Sequence, residues 1–259
     1  MTAAVTTRML RVGDVDLARI GLGTNRLTNT PRNIAFLRDA VAAGIGMIDT
    51  AHTYTGGESE SVIGEALSAS DGWVVATKGG YSDGRPEVLR AEIEASLRRL
   101  RTDSIELYYL HRVDAHATLE ESLSVMAEYR DAGKIRNVGI SAVTIDHVLR
   151  AQAVLPITAV QNHYNLAVRA SDDVVDYCTE HRIVFVPYFP LRDGHPALER
   201  IAQRHGATPA QITLAWLLRR SPMMLPIPGT LSLEHVQENL GALDIALTDD
   251  EFQTLQQAP

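Results

Sequence analysis

Short β-branched apolar runs alternate with amphipathic helical stretches along this 259-residue chain, and few folds can accommodate that rhythm. The runs occupy residues 18–21, 47–50, 73–78, 105–110, 135–141, 158–161, 183–187 and 224–227. Their average separation is roughly 30 residues, the length of one strand-helix unit. Between them lie stretches such as "PEVLRAEIEASLRRL", in which Val88, Ile93, Leu97 and Leu100 form one stripe and the arginines another face. Gly44 and Gly133 sit where left-handed helix C-caps are wanted. Ahead of the series, "MLRVGDVDLARIGLG" reads as a β-hairpin turning at Gly13 and Asp14.

About eight uninterrupted units, with no linker or low-complexity break, predict an α/β chain forming one domain over residues 1–259. The expected architecture is a (β/α)8 TIM barrel with an N-terminal β-hairpin and a short C-terminal tail. An open dinucleotide-binding sheet is the competing reading of "GLGTN". Its glycine fingerprint needs a third glycine at position 26, where Arg26 stands, and no helix signal follows directly.

Bulk composition narrows the function classes. The chain is 45% hydrophobic, enough for a large core, and carries a formal charge of −8 with no basic stripe, which argues against nucleic acid as a partner. Cys178 is the only cysteine and reads as a small buried hydrophobe, so intrachain disulfides and cysteine-based zinc sites are excluded and no metal is expected. The N-terminus lacks a signal-peptide pattern and no apolar run approaches the roughly 20 residues that span a bilayer. The expectation is a cytoplasmic protein with no membrane partner; its oligomeric state is left open.

A barrel presents its chemistry at the C-terminal ends of its strands. Asp49 ends the second run, Lys78 the third and His111 follows the fourth, while Tyr54 lies in the loop after the second. Singly, each has a structural explanation: a loop cap, a solvated lysine, a satisfied histidine, a rim aromatic. Together they suit carbonyl reduction, which needs a proton at oxygen as hydride reaches carbon. A phenol with an ordinary pKa near 10 is a weak acid, and a neighbouring ammonium stabilises its phenolate. Lys78 is placed for that part, Asp49 to hold the lysine, and His111 to hydrogen-bond the carbonyl oxygen.

The motifs "IDTAHTY" with "GESESVIGEAL", "VATKGG", "LYYLHRVD", "VGISAV", "VQNHYNL", "VPYFPL" and "IPGTLSLEHVQEN" resemble, in that order, those of the aldo-keto reductase family. The region from "VQNHYNLAVRASDD" to "LAWLLRRSP" is similar to a bacterial branch that includes pyridoxal reductases. The resemblance implies an NADP-dependent barrel reductase of a small-molecule aldehyde or ketone. Tyr54 would be the proton donor, Lys78 and Asp49 its tuning pair, and His111 the carbonyl-orienting group. It further implies that Ser141 and Gln161 hydrogen-bond the nicotinamide carboxamide and that Tyr188 stacks on its ring. Gly23, Thr24 and Asp49 would lie near the ribose and Leu191 near the pyrophosphate. The stretch 229–239, with Gly229, Thr230, Ser232, His235, Glu238 and Asn239, would hold the adenosine end. The opening of a helix there offers N–H groups to phosphate, although Thr230 and Ser232 also read as ordinary caps.

Some positions depart from the family pattern. Gly229 and His235 stand where many members have the lysine and arginine that grip the 2′-phosphate, so NADPH is expected with only a modest preference and NADH as the alternative. Ala142 replaces a common asparagine, and Arg192 and Asp193 follow "YFPL" where glycine is frequent. The short C-terminal tail and the short loop after Lys78 predict an open pocket. His163 is read as scaffold or rim, and His52 as a residue that could face the pocket. Two other function classes remain at this stage: a catalytically slow nicotinamide-binding sensor or subunit on the same fold, and a Schiff-base aldolase acting through Lys78.

Overall fold

The computed structural model describes residues 8–67, 73–113, 116–191 and 196–257. Strands β1 (Met9–Val12) and β2 (Val15–Ala18) pair antiparallel across a turn in which Gly13 takes φ 58°, so the predicted hairpin forms. Then come β3 (Leu22–Gly23), α1 (Pro31–Ala42), β4 (Met47–Asp49), α2 (Glu58–Ala66), β5 (Val74–Gly79) and α3 (Pro86–Leu100). They are followed by β6 (Ile105–Leu110), α4 (Leu119–Asp131), β7 (Ile135–Ser141), α5 (Ile145–Val154), β8 (Ala159–His163) and α6 (Asp172–Glu180). The series ends with β9 (Val184–Tyr188), α7 (Leu198–His205), α8 (Pro209–Arg220), α9 (Leu233–Gly241) and α10 (Asp249–Gln256).

Strands β3 to β9 pair parallel in chain order. The segment 223–229 closes them into a (β/α)8 barrel. Phe185 of β9 donates its N–H to the Met223 carbonyl (2.9 Å), and on the other side Gly21 and Gly23 donate to the carbonyls of Pro226 (2.9 Å) and Pro228 (3.2 Å). This is the run expected at 224–227, but its prolines have no N–H to give, so it makes isolated bridges to Phe185 and Gly23 instead of a regular ladder. The run expected at 18–21 is also corrected: Ala18 belongs to the hairpin, and the first barrel strand is β3. In α3, Leu89 takes the buried place expected of the half-buried Val88, because Leu89 rather than Val88 shares a face with Ile93 and Leu97. Gly44 and Gly133 have positive φ just past α1 and α4, as the C-cap reading requires.

Two apolar layers follow from the two-residue period of the strands. Met47, Val74, Ala76, Leu107, Tyr109, Ala159, Val184 and Val186 face the barrel interior, with Leu10, Val12 and Leu17 of the hairpin packed against the same cluster. Their neighbours Ile48, Val75, Tyr108, Leu110, Ile140, Val160 and Phe185 face the helices. The hairpin lies over the N-terminal ends of the strands: a side chain at Gly46 would come within 2.7 Å of Leu17 Cβ. Inside, Gly139 is required by close approach, since a Cβ there would stand 2.4 Å from the Tyr109 ring. One end of the barrel is thus filled, and the C-terminal end is left for polar side chains.

Candidate active site

Strand periodicity fixes which side chains reach that end. Continuing each interior series by two residues leads from Met47 to Asp49, from Ala76 to Lys78, from Tyr109 to His111, from Ala159 to Gln161 and from Val186 to Tyr188. Ser141, two residues beyond Gly139 on β7, sits beside Gln161 in the parallel register. Six polar groups from six adjacent strands therefore converge without any loop having to place them.

Asp49 and Lys78 are the buried centre of this set. Lys78 Nζ lies 2.5 Å from Asp49 Oδ1 and also donates to the Thr50 carbonyl at 2.7 Å, and both side chains are essentially inaccessible to solvent. Gln161 Nε2 donates to the other carboxylate oxygen at 2.7 Å. The Lys78 ammonium stands 5.1 Å from the centroid of the Tyr54 ring and 5.8 Å from that of Tyr109. Tyr54 opens a tight turn, residues 54–57, that puts the chain through positive φ at Thr55, Gly56 and Gly57 before α2 begins. The Thr55 hydroxyl donates to the Leu27 carbonyl and accepts from the Ser59 N–H, and the Ser59 hydroxyl bonds those of Thr24 and Thr50. Tyr54 is therefore carried by a loop tied to the ends of β3 and β4.

Burial dominates the electrostatics. It works against the Lys78 charge, but Asp49 and then Tyr54 outweigh it, and the lysine pKa is raised. Burial raises the Asp49 carboxyl, against the pull of Lys78 and Gln161. The Tyr54 phenol is also raised: burial outweighs the stabilisation of its phenolate by Lys78, and Asp49 adds to the rise. The expected pull of the lysine on the phenol is present, but it moderates an upward shift and does not reverse it. His111 is pushed down to about 3 by burial, then by Lys78 and Arg112, so its imidazole is neutral at physiological pH. Its ring meets that of Tyr54 edge-on with centroids 6.0 Å apart.

Above these groups opens a pocket of about 740 Å³. Of the residues singled out from sequence, Gly23, Thr24, Asp49, Tyr54, His111, Ser141, Gln161, Tyr188, Leu191 and Gly229 line it, and Lys78 is buried beneath. Thr230, Ser232, His235, Glu238 and Asn239 lie beyond it, in the loop before α9 and in that helix. Ser232 caps α9 by accepting from the His235 N–H, and Thr230 Oγ1 lies 3.3 Å from His235 Nδ1. Glu238 accepts from the Thr208 hydroxyl, and Asn239 is buried. His163 stacks on Tyr188, ring centroids 5.4 Å apart, which fits the scaffold reading. His52 is turned away: its ring nitrogen and carbonyl contact Arg99, which also bonds the buried Glu60. Arg192 and Asp193 lie outside the described residues. Ala142 lines the pocket with φ 56°, a left-handed conformation that an asparagine adopts more readily. Asn25, Arg26, Tyr81, Arg112 and Phe189 also line the pocket without having been picked out from sequence as pocket residues. Of these, Arg112, directly after His111, Phe189, directly after Tyr188, and Asn25, directly after Thr24, carried a positional signal just past a strand end.

The aldo/keto reductase family model matches residues 19–195 and 192–258, nearly the whole chain. The chain belongs to the aldo/keto reductase family. It is 34% identical over 280 residues to pyridoxine 4-dehydrogenase of Escherichia coli, covering 97% of this chain and 98% of that one. To an uncharacterized oxidoreductase of Schizosaccharomyces pombe it is 36% identical over 269 residues, covering 95% and 88%. Among solved structures, a thermostable aldo-keto reductase in complex with the inhibitor epalrestat superposes with a TM-score of 0.91 at 31% identity, covering 98% of this chain and 100% of that one. An aldo/keto reductase from Klebsiella pneumoniae in complex with NADP and acetate gives 0.87 at 31%, covering 97% and 95%. Family membership makes this protein an oxidoreductase acting on carbonyl groups.

Proposed function

We propose that this single-domain barrel reduces an aldehyde or ketone to an alcohol, with Tyr54 giving the proton and NADPH as the cofactor. The observation that carries the reading is the buried Lys78–Asp49 pair lying directly under the phenol of Tyr54, with His111 at its edge. The pocket wall suits the cofactor: Ser141, the amide of Gln161 and the flat face of Tyr188 suit a ring that carries a carboxamide, and a helix N-terminus near Gly229 suits a phosphate. The family relative crystallised with NADP supports the same choice. Bound NADPH supplies the hydride.

The protein's own groups do the rest. The neutral His111 donates an N–H to the carbonyl oxygen and orients it. Tyr54, held protonated by burial, delivers its proton to that oxygen as the carbon accepts hydride. The phenolate left behind faces the ammonium of Lys78, which Asp49 keeps charged and fixed. Gln161 steadies the second carboxylate oxygen. Gly23, Thr24 and Leu191 fall to the ribose and pyrophosphate. Thr230, Ser232, His235, Glu238 and Asn239 fall to the adenosine end. The Schiff-base alternative loses on the same geometry, because a fully buried lysine with a raised pKa is no nucleophile at neutral pH.

Pyridoxal is a candidate substrate, supported by the relative named pyridoxine 4-dehydrogenase. The test is a carbonyl panel of pyridoxal, 4-nitrobenzaldehyde and sugar-like ketones, followed by NADPH oxidation and alcohol formation in equal amounts. Cofactor binding with negligible oxidation across the panel would favour the sensor instead.

A further inference from the structure

The half of the pocket mouth nearest Tyr54 and His111 carries a cation that carbonyl reduction itself does not use. Arg112 follows His111 directly and is exposed at the pocket wall, its guanidinium carbon 4.4 Å from the centroid of the Tyr81 ring. Tyr81 in turn lies against His111, with ring centroids 4.8 Å apart and planes inclined at 57°. One tyrosine ring thus spans from the imidazole to the guanidinium. A guanidinium resting on an aromatic face keeps the N–H groups at its edge available to an acceptor in its own plane, and a carboxylate matches that fork with two parallel hydrogen bonds.

Charge favours the same ligand. Among the described residues that line the pocket, Asp49 is the one carboxylate, and it is committed to Lys78. The other formal charges there are Arg26 and Arg112, in a protein whose net charge is −8. The two arginines are on different sides: Arg26 Nη2 lies 3.4 Å from the carbonyl of Gly229, at the start of the stretch assigned to the adenosine end, whereas Arg112 adjoins His111. Arg112 is also close enough to help keep His111 neutral.

We infer that Arg112, seated on Tyr81 beside His111, holds a carboxylate carried by the carbonyl substrate, so that carboxylated aldehydes or ketones are preferred over their neutral counterparts. The inference rests on the carbonyl-reduction reading and names the substrate class for that site. Arg112 is the specificity-determining residue, acting on binding; the proton and hydride still go to the carbonyl oxygen and carbon.

The experiment compares 4-carboxybenzaldehyde with its methyl ester, which keeps the ring and aldehyde and removes the charge. For the wild type, KM for the ester exceeds that for the acid by about tenfold. In Arg112→Met this KM ratio falls to about one, and Arg112→Lys retains part of it. A parallel calorimetric titration of the NADPH-loaded protein with 4-(hydroxymethyl)benzoate and its methyl ester reads the same ratio as binding, without turnover, because the reduced cofactor cannot accept a hydride from the alcohol. An acid-to-ester ratio that Arg112→Met leaves unchanged in both measurements overturns the inference. Absence of turnover with every aldehyde would instead defeat the reductase reading, and the titration would still decide the role of Arg112.

Discussion

At the ends of β4, β5 and β8 the polar groups Asp49, Lys78 and Gln161 are buried and bonded to one another, whereas between Gly229 and Asn239 most polar side chains are at least partly exposed and bond mainly within their own loop and helix. The first region is held by strand register, and removing one of its charges alone disturbs the barrel. The second is a loop and a helix opening, where substitutions are expected to leave the fold intact and, on the proposed reading, to change cofactor binding. A buried ion pair of this kind stabilises the fold little against an apolar replacement, yet losing one partner strands the other charge in the interior.

That contrast breaks most visibly at Lys78. Lys78→Met leaves the Asp49 carboxylate buried without its cation and is expected to cost about 3–5 kcal/mol of stability, read from denaturant midpoints. Adding Asp49→Asn should recover most of that loss while turnover stays abolished. Unchanged stability in the single variant would show that Asp49 does not depend on its partner.

His111 provides the next largest effect, through pH. Its pKa falls from an ordinary 6.5 to about 3 on folding, so between those values the unfolded chain binds more protons than the folded one. Stability from this group is complete above pH 6.5 and is lost as pH drops, by at most about 1.4 kcal/mol per pH unit. His111→Asn should show a shallower acid slope than the wild type. Parallel slopes would mean that the imidazole is no more buried than in the unfolded chain.

The exposed stretch should respond differently. His235→Arg restores a cation at a position where many family members have one, and is expected to tighten NADPH binding about tenfold. Stability should stay within about 0.5 kcal/mol, as for most surface changes. Fluorescence titration with NADPH and NADH measures the first and denaturant unfolding the second. Equal tightening toward both cofactors would place His235 away from the 2′-phosphate.

The same difference governs what could be read from the sequence. β6 and β7 match their expected spans because each is a short, mostly buried run rich in β-branched, aromatic or aliphatic residues, and each of β5, β8 and β9 lies within two residues of its span. Residues 224–227 were legible as the eighth position but not as isolated bridges, since the pattern of apolar residues outweighed Pro226. Asp49, Lys78 and His111 were legible because strand ends have a fixed place in a barrel. Tyr81 was not, because loops have no period from which to infer direction. The upward shift of the Tyr54 phenol could not be anticipated either: it depends on how deeply a loop residue is buried.

The central claim is that the Tyr54 phenol supplies the proton, and Tyr54→Phe tests it most directly by removing the hydroxyl while keeping the ring. Measured with saturating NADPH and an aldehyde that the wild type turns over, kcat is predicted to fall by about 100-fold or more, with NADPH affinity nearly unchanged. A variant that keeps most of its kcat would contradict the account, and the proton would have to come from another group.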